Sequence, residues 1–233
     1  MKRAIIVGAS SGIGKELAFI LATHNFTVGI TGRREQKLLE IKNTKPASFI
    51  VKAFDCTSEN NSEKLANLVN ELGGLDLLIM SSGTGDDEAL DYAHDKKTIQ
   101  LNVLAFTEIM NWTFNYFKNQ GFGHITAISS VAGLRGSKYA PSYFASKAYQ
   151  INYLESLRKI AKNKIYITDV RPGYINTKMA LGNNLFWVAS KEKAAKQIYR
   201  SIEKKRDVVY ITKRWRIIAW ALKFVPYWIY KWL

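Results

Sequence analysis

The chain opens with a short uninterrupted apolar run, Ala4-Ile5-Ile6-Val7, which ends in Gly8-Ala9-Ser10-Ser11-Gly12-Ile13-Gly14. A helical pattern follows through Leu17, Phe19, Ile20 and Leu21. An apolar run without alternation suits a strand covered on both faces, as in a parallel sheet. Glycines at the strand-to-helix turn let the backbone reverse tightly and let a phosphate-bearing ligand approach the helix N-terminus. Tight turns use glycine routinely, so these three count through their place between the first strand and the first helix.

The same alternation continues along the chain. Phe26 to Thr31 has the pattern of a second strand, and Ser48 to Phe54 that of a third, ending at Asp55. A helix is expected from about Ser58 to Leu72, closed by Gly73-Gly74. Leu75 to Met80 is the fourth strand and opens into Ser81-Ser82-Gly83-Thr84-Gly85. A long helix from Lys96 to Asn119 is expected to carry Ile99, Leu101, Val103, Leu104, Phe106, Ile109 and Met110 inward. Asn102 interrupts that apolar set, and a buried amide must find partners.

Gly123 to Ile128 is the fifth strand and leads to Ser129-Ser130. Pro141 begins a helix to about Lys162, and Ile165 to Val170 is a sixth strand before Arg171-Pro172-Gly173. Val208 to Ile211 completes the set. The rhythm predicts an α/β fold: a single doubly wound Rossmann domain with a parallel sheet of about seven strands and helices on both faces. Gly8, Gly83, Ser130 and Gly173 all follow strand ends, so they converge on the sheet edge where such folds bind ligands.

At 233 residues and 47% hydrophobic, the chain suits one large domain. It divides into a catalytic unit, residues 1–212, and a basic, Trp-rich amphipathic segment, residues 213–233. The single cysteine, Cys56, has no partner for an internal disulfide and is expected to pack. The acidic patch Asp86, Asp87, Glu88 lacks the companions of a metal site, so no metal is expected. The start, Met1-Lys2-Arg3-Ala4, lacks the apolar length of a signal peptide, and the protein is expected in the cytoplasm.

Chemistry is suggested by Tyr143 and Lys147, four residues apart and so on one helical face. Such a pair is common on solvated helices. Held together in a site, the ammonium favours the phenolate and draws the phenol down from its usual pKa of about 10. Ser130 offers a hydroxyl to an oxygen developing charge. After the second strand, where an acid would take a ribose 2′-hydroxyl, Arg33 and Arg34 stand instead. Guanidinium groups match a 2′-phosphate, which favours NADP(H) over NAD(H), although a solvated helix start would look similar.

On these residues the chain resembles the short-chain dehydrogenase/reductase family over roughly Lys2 to Tyr210. The family's glycine motif is matched by Gly8, Gly12 and Gly14, with Ser10, Ser11 and Ile13 between them. Its catalytic asparagine, serine, tyrosine and lysine are matched by Asn102, Ser130, Tyr143 and Lys147. The resemblance implies cofactor contacts at Asp55 and Cys56 beside the adenine and at Ser82 and Gly83 after strand four. It implies others at Pro172, Gly173, Ile175 and Thr177 beside the nicotinamide, and at Tyr143 and Lys147 themselves. It further implies proton transfer by Tyr143, a water held by Asn102 next to Lys147, and homodimers or homotetramers formed through the Lys96 and Pro141 helices. Two positions depart from the pattern. Val7 stands in place of a threonine, and Met80-Ser81-Ser82-Gly83 in place of an Asn-Asn-Ala-Gly run whose asparagines brace the sheet, where serine hydroxyls are expected to substitute.

The charge is concentrated at the end of the chain. From Lys191 to Leu233 there are twelve Lys and Arg against three Asp and Glu, a net +9 of the total +15. Four of the six tryptophans lie after Lys213. The longest uncharged run there, Phe224 to Tyr230, is far short of the ~20 residues that span a bilayer. A basic amphipathic segment rich in Trp suits an anionic membrane surface on the cytoplasmic side, while packing on the chain's own core or on a second subunit is the plain alternative. Nucleic acid is not expected, because no recognised module is present. Phe186 and Trp187, in the apolar stretch after Thr177, are candidate substrate contacts and suggest a small lipophilic carbonyl or alcohol. The resulting expectation is an NADP(H)-dependent oxidoreductase interconverting a ketone and a secondary alcohol. The rival is a non-catalytic dinucleotide sensor or scaffold at a membrane.

Overall fold

The computed structural model describes residues 2–85, 90–162, 164–177 and 186–231. The acidic patch at 86–88 and the stretch 178–185 lie outside them. In β1 (Lys2–Val7) successive side chains point to opposite faces of the sheet, and both faces are covered. Ala4 and Ile6 enter one apolar layer with Leu17 and Leu21 of α1 (Gly12–Thr23), Leu38 of α2 (Glu35–Thr44) and Ile198 further along the chain. Ile5 and Val7 enter the other with Leu65 and Leu68 of α3 (Asn61–Leu72) and with Phe117, Leu154 and Leu157.

Seven parallel strands form the sheet in the order β3-β2-β1-β4-β5-β6-β7. Besides β1 these are β2 (Phe26–Gly32), β3 (Phe49–Ala53), β4 (Leu77–Met80), β5 (Phe122–Ile128), β6 (Lys164–Pro172) and β7 (Val208–Ile211). The order reverses at β1, which pairs with β2 on one side and β4 on the other. That reversal opens a crevice at the carboxyl ends of the strands. The expected doubly wound architecture is therefore present.

The helix expected from Lys96 begins earlier and is not uniform. Asp91 caps it by accepting from the Ala93 and His94 N–H groups. α4 (Tyr92–Ile99) then passes through a π-helical turn, Gln100–Ala105, into α5 (Phe106–Gln120). The wider turn changes the phase of the apolar stripe. Asn102 becomes fully buried, whereas Ile99 and Leu104, expected inside, are 43% and 62% exposed. The remaining helices are α6 (Pro141–Ile160), α7 (Lys191–Glu203), α8 (Trp215–Phe224) and α9 (Tyr227–Tyr230).

A buried ionic group braces the end of β6 beside β5. Asp169 is fully buried; it accepts from Arg171 Nε at 2.7 Å and from Ser129 Oγ at 2.5 Å. Arg171 also donates to the Tyr210 hydroxyl on β7. The carboxylate thus fixes the backbone next to Ser130. Removing one partner of a buried pair leaves the other charge uncompensated, which costs about 3–5 kcal/mol. Asp169→Asn is expected to lower the urea midpoint accordingly with an unchanged m-value. A midpoint equal to that of the wild type would show that the pair contributes nothing.

Candidate active site

A cleft of roughly 1400 Å³ follows the carboxyl edge of the sheet. At its centre β1, α1 and the loop after β4 meet backbone to backbone. Gly8 has φ +94°, and a Cβ there would lie 2.6 Å from the Ser82 nitrogen. A Cβ on Gly14 would lie 2.2 Å from the Gly8 carbonyl oxygen. Only glycine permits these approaches. Ser11, at the start of α1, makes no side-chain cap. First-turn N–H groups are therefore left for a ligand, and an anion suits them. In the stretch that lacks the bracing asparagines the backbone makes the junction: the Ser81 and Ser82 N–H groups both donate to the Val7 carbonyl, at 2.8 and 2.9 Å.

The end of the cleft beside β2 is basic. Arg34 donates to Ser10 Oγ at 2.8 Å and to Ser11 Oγ at 2.7 Å, which lays its guanidinium on the glycine turn. Arg33 lies 3.7 Å from the Asp55 carboxylate. Burial works to raise the Asp55 pKa, but hydrogen bonds from Thr57 and the charge of Arg33 prevail and hold it below the usual range. Cys56 is buried and its thiol is pushed up by that burial, as suits a packing residue. The backbone cradle and the two guanidinium groups fit a phosphorylated dinucleotide.

Farther along, Ser130, Tyr143 and Lys147 line the same cleft. Ser130 Oγ accepts from the Ala132 N–H at 3.1 Å, and its hydroxyl acts on Tyr143. Lys147 is buried, with Nζ 5.7 Å from the centroid of the Tyr143 ring. Burial lowers its pKa to about 8, against an opposing pull from Asp169. Tyr143 does not show the depressed pKa expected from its neighbour. Burial raises it, and only the Ser130 hydroxyl pulls it back. The ammonium hydrogens go instead to the Ile128 carbonyl at 3.1 Å and to Gln150 Oε1 at 2.9 Å.

Asn102 sits behind the cleft. Its side chain donates to the Thr84 carbonyl and to Ser146 Oγ, and accepts from the Thr84 N–H. It thus ties the π turn to the loop after β4 and to α6. Gln150 was missed from the sequence, although positions 143, 147 and 150 repeat at helical spacing.

The far wall is built by Pro172, Gly173, Ile175 and Thr177 together with the C-terminal segment. Trp215 is buried with its ring pressed on Gly173, where a Cβ would lie 2.0 Å from the indole. It stacks on Phe186 with ring centroids 5.2 Å apart and meets Tyr174 edge-on at 5.3 Å. Phe186 and Trp187 do not themselves line the cleft; Trp215 stands between. Arg135, after β5, donates to the Leu222 and Val225 carbonyls at the end of α8. Tyr230 donates to the Gly136 carbonyl. Trp215, Leu222 and Tyr230 therefore line the same cleft as Tyr143. No sequence motif marked them. Among the described residues no group of three or more His, Cys, Asp or Glu side chains is placed to hold a metal.

The chain is similar in sequence and fold to known proteins. The family model described as short chain dehydrogenase matches residues 2–186. An uncharacterized oxidoreductase of Staphylococcus saprophyticus is 31% identical over 206 residues, covering 84% of this chain and 87% of its own. A 3-oxoacyl-[acyl-carrier-protein] reductase of Rickettsia typhi is 30% identical over 182 residues, covering 76% of this chain and 74% of its own. The crystal structure of an actinorhodin polyketide ketoreductase variant with NADPH superposes with a TM-score of 0.81 at 19% identity, over 90% of this chain and 95% of the other.

Proposed function

The chain belongs to the short chain dehydrogenase family, and from that premise we propose an NADP(H)-dependent oxidoreductase that interconverts a ketone and a secondary alcohol on a lipophilic substrate. The observation that carries this is the buried Lys147 beside the Ser130–Tyr143 hydroxyl pair, in the same cleft as a backbone cradle for a dinucleotide. A non-catalytic sensor needs the cradle but not the three side chains. The reductases among the relatives and structural neighbours act on ketone groups by name, and one of them was solved with NADPH.

The cradle from Gly8 to Gly14 would hold the pyrophosphate, and Arg33 and Arg34 the 2′-phosphate. Pro172, Gly173, Ile175 and Thr177 would border the nicotinamide. The cofactor, when bound, supplies or accepts the hydride. In the reducing direction Tyr143 gives its hydroxyl proton to the carbonyl oxygen while Ser130 holds that oxygen by a hydrogen bond. The Lys147 ammonium and the Ser130 hydroxyl would stabilise the charge left on Tyr143 once its proton has gone. Asn102 holds the loop and helix that carry these groups in register.

The C-terminal segment supports a lipophilic substrate at an anionic membrane surface. The inner face of α8, with Trp215, Ala219 and Leu222, covers the substrate end of the cleft. Its outer face presents Ile217, Trp220 and Phe224 at 68%, 67% and 63% exposed, and Tyr227 and Trp228 continue it. At 100° per residue, Arg214 and Arg216 flank that apolar stripe on its two sides. No Asp or Glu follows Asp207. Indoles settling among headgroups, with cations meeting lipid phosphates, account for such a face, whereas a second copy would bring like charges together. Among the described residues no helix is long and apolar enough to cross a membrane. Association of copies is assigned instead to the α4–α6 surface, where Ile99, Leu104 and Tyr149 are exposed.

NADPH oxidation with a panel of hydrophobic ketones tests the chemistry. Turnover is expected in the wild type and, in Tyr143→Phe, a fall of at least ~10²-fold, the lower range for losing a general acid. NADPH binding, read by tryptophan fluorescence, should persist in that variant; near-normal activity would overturn the assignment. Replacing Arg33 and Arg34 by alanine is expected to raise KM for NADPH about tenfold or more with little effect on NADH. Equal effects on the two cofactors would refute the 2′-phosphate site.

Flotation tests the membrane surface. The wild type should rise with phosphatidylglycerol vesicles and not with phosphatidylcholine vesicles, and Trp220→Glu with Phe224→Glu should abolish the binding. Absence of flotation, or a concentration-dependent mass lost in the same double variant, would show that lipid is not the occupant.

A further inference from the structure

Gln150 lies three residues beyond Lys147 on α6 and is only 1% exposed. Its amide is used at both ends. Oε1 accepts from Lys147 Nζ at 2.9 Å, and Nε2 donates to the Asn102 carbonyl at 2.9 Å. That carbonyl belongs to the π turn Gln100–Ala105. An ammonium offers only donors and a carbonyl only acceptors, so one orientation of the amide satisfies both. A carboxylate at this position would oppose the carbonyl, and an apolar side chain would leave both partners without it.

We infer that Gln150 is a positioning residue of the active site, joining the Lys147 ammonium to the backbone of the π turn and so holding its charge beside Tyr143. The inference rests on the reading of Tyr143 and Lys147 as the pair that handles the proton. With the Ile128 carbonyl also accepting at 3.1 Å, two of the three ammonium hydrogens are fixed by neutral oxygens. One remains for the cleft, which Lys147 lines. The bridge also gives the π turn a role: it places the Asn102 side chain on the loop after β4 and the Asn102 carbonyl on Gln150.

The surroundings make Lys147 sensitive to this contact. Tyr143 faces it from its own helix, and Asp169 acts on it from β6 while paired to Arg171. The loop 81–85, the π turn and residues 131–134 contain no titratable side chain. No carboxylate accepts directly from Nζ among the described hydrogen bonds. A neutral acceptor that favours the charged form therefore has a measurable share in keeping the ammonium protonated.

The test compares the wild type with Gln150→Met, which removes both hydrogen bonds at similar volume, and with Gln150→Glu, which substitutes a charge for the amide. Two readouts are taken: the alkaline limb of ketone reduction by NADPH, and an NMR titration of the Lys147 side chain without cofactor. Loss of an acceptor disfavours the ammonium, so Gln150→Met should move both transitions to lower pH by about one unit. The new carboxylate favours the ammonium, so Gln150→Glu should move them to higher pH. A purely structural role would lower activity or stability without opposite shifts. If Gln150→Met fails to fold, the upward shift in Gln150→Glu carries the test alone. Coincident Lys147 titrations in the folded proteins would overturn the inference. Opposite NMR shifts in proteins that reduce no ketone would establish the Gln150 contact and overturn the functional reading instead.

Discussion

Strand β1 pairs with β2 on one side and β4 on the other, and the candidate site depends on that arrangement. Because chain order reverses there, the crossover helices leave from opposite faces and the carboxyl ends open into a crevice. The closeness of the turn is a packing requirement. Gly8 lies against Ser82, and Gly14 against the Gly8 carbonyl, so two loops from distant parts of the sequence meet without intervening side chains. With the Ser81 and Ser82 N–H groups on the Val7 carbonyl, backbone hydrogen bonds secure the junction.

Around that junction the buried polar groups divide the work. Asp169 and Arg171 form a closed ionic unit that steadies the end of β5 through Ser129. Lys147 has no such direct partner and relies on the Ile128 carbonyl and Gln150. The difference is functional in the proposed mechanism. A lysine neutralised by a contacting carboxylate would have less field to offer Tyr143, whereas one held by neutral oxygens keeps it. The π turn belongs to the same economy of groups, since it buries Asn102 where a regular helix would continue an apolar stripe.

The C-terminal segment has two distinct faces. One side of α8 contributes Trp215 and Leu222 to the cleft, and Arg135 anchors its end. The other side presents aromatic and aliphatic groups between arginines. If lipid covers that outer face, as proposed, the covering of the substrate end and the attachment to a membrane are properties of one helix. A lipophilic substrate then reaches the cleft beside the surface in which it dissolves.

Much of this was legible in the sequence, because parallel strands and their helices leave periodic apolar patterns and tight turns demand glycine. Gly8 to Gly14 and the strand rhythm were found in that way, whereas Ser130, Tyr143 and Lys147 stood out by their chemistry and spacing and took their roles from the family resemblance; all three line the cleft, as does the glycine turn apart from Ala9 and Gly14. Periodicity failed at the π turn: one wider turn changes the phase, so Ile99 and Leu104 point outward. It also gave no sign that Gln150 closes a bridge to Asn102, that burial raises the Tyr143 pKa, or that Trp215 rests on Gly173. Local pattern determines which residues form strands, turns and helices, because each depends on near neighbours. Partners far apart in the chain, and the pKa values their burial imposes, were decided only when the tertiary structure brought them together.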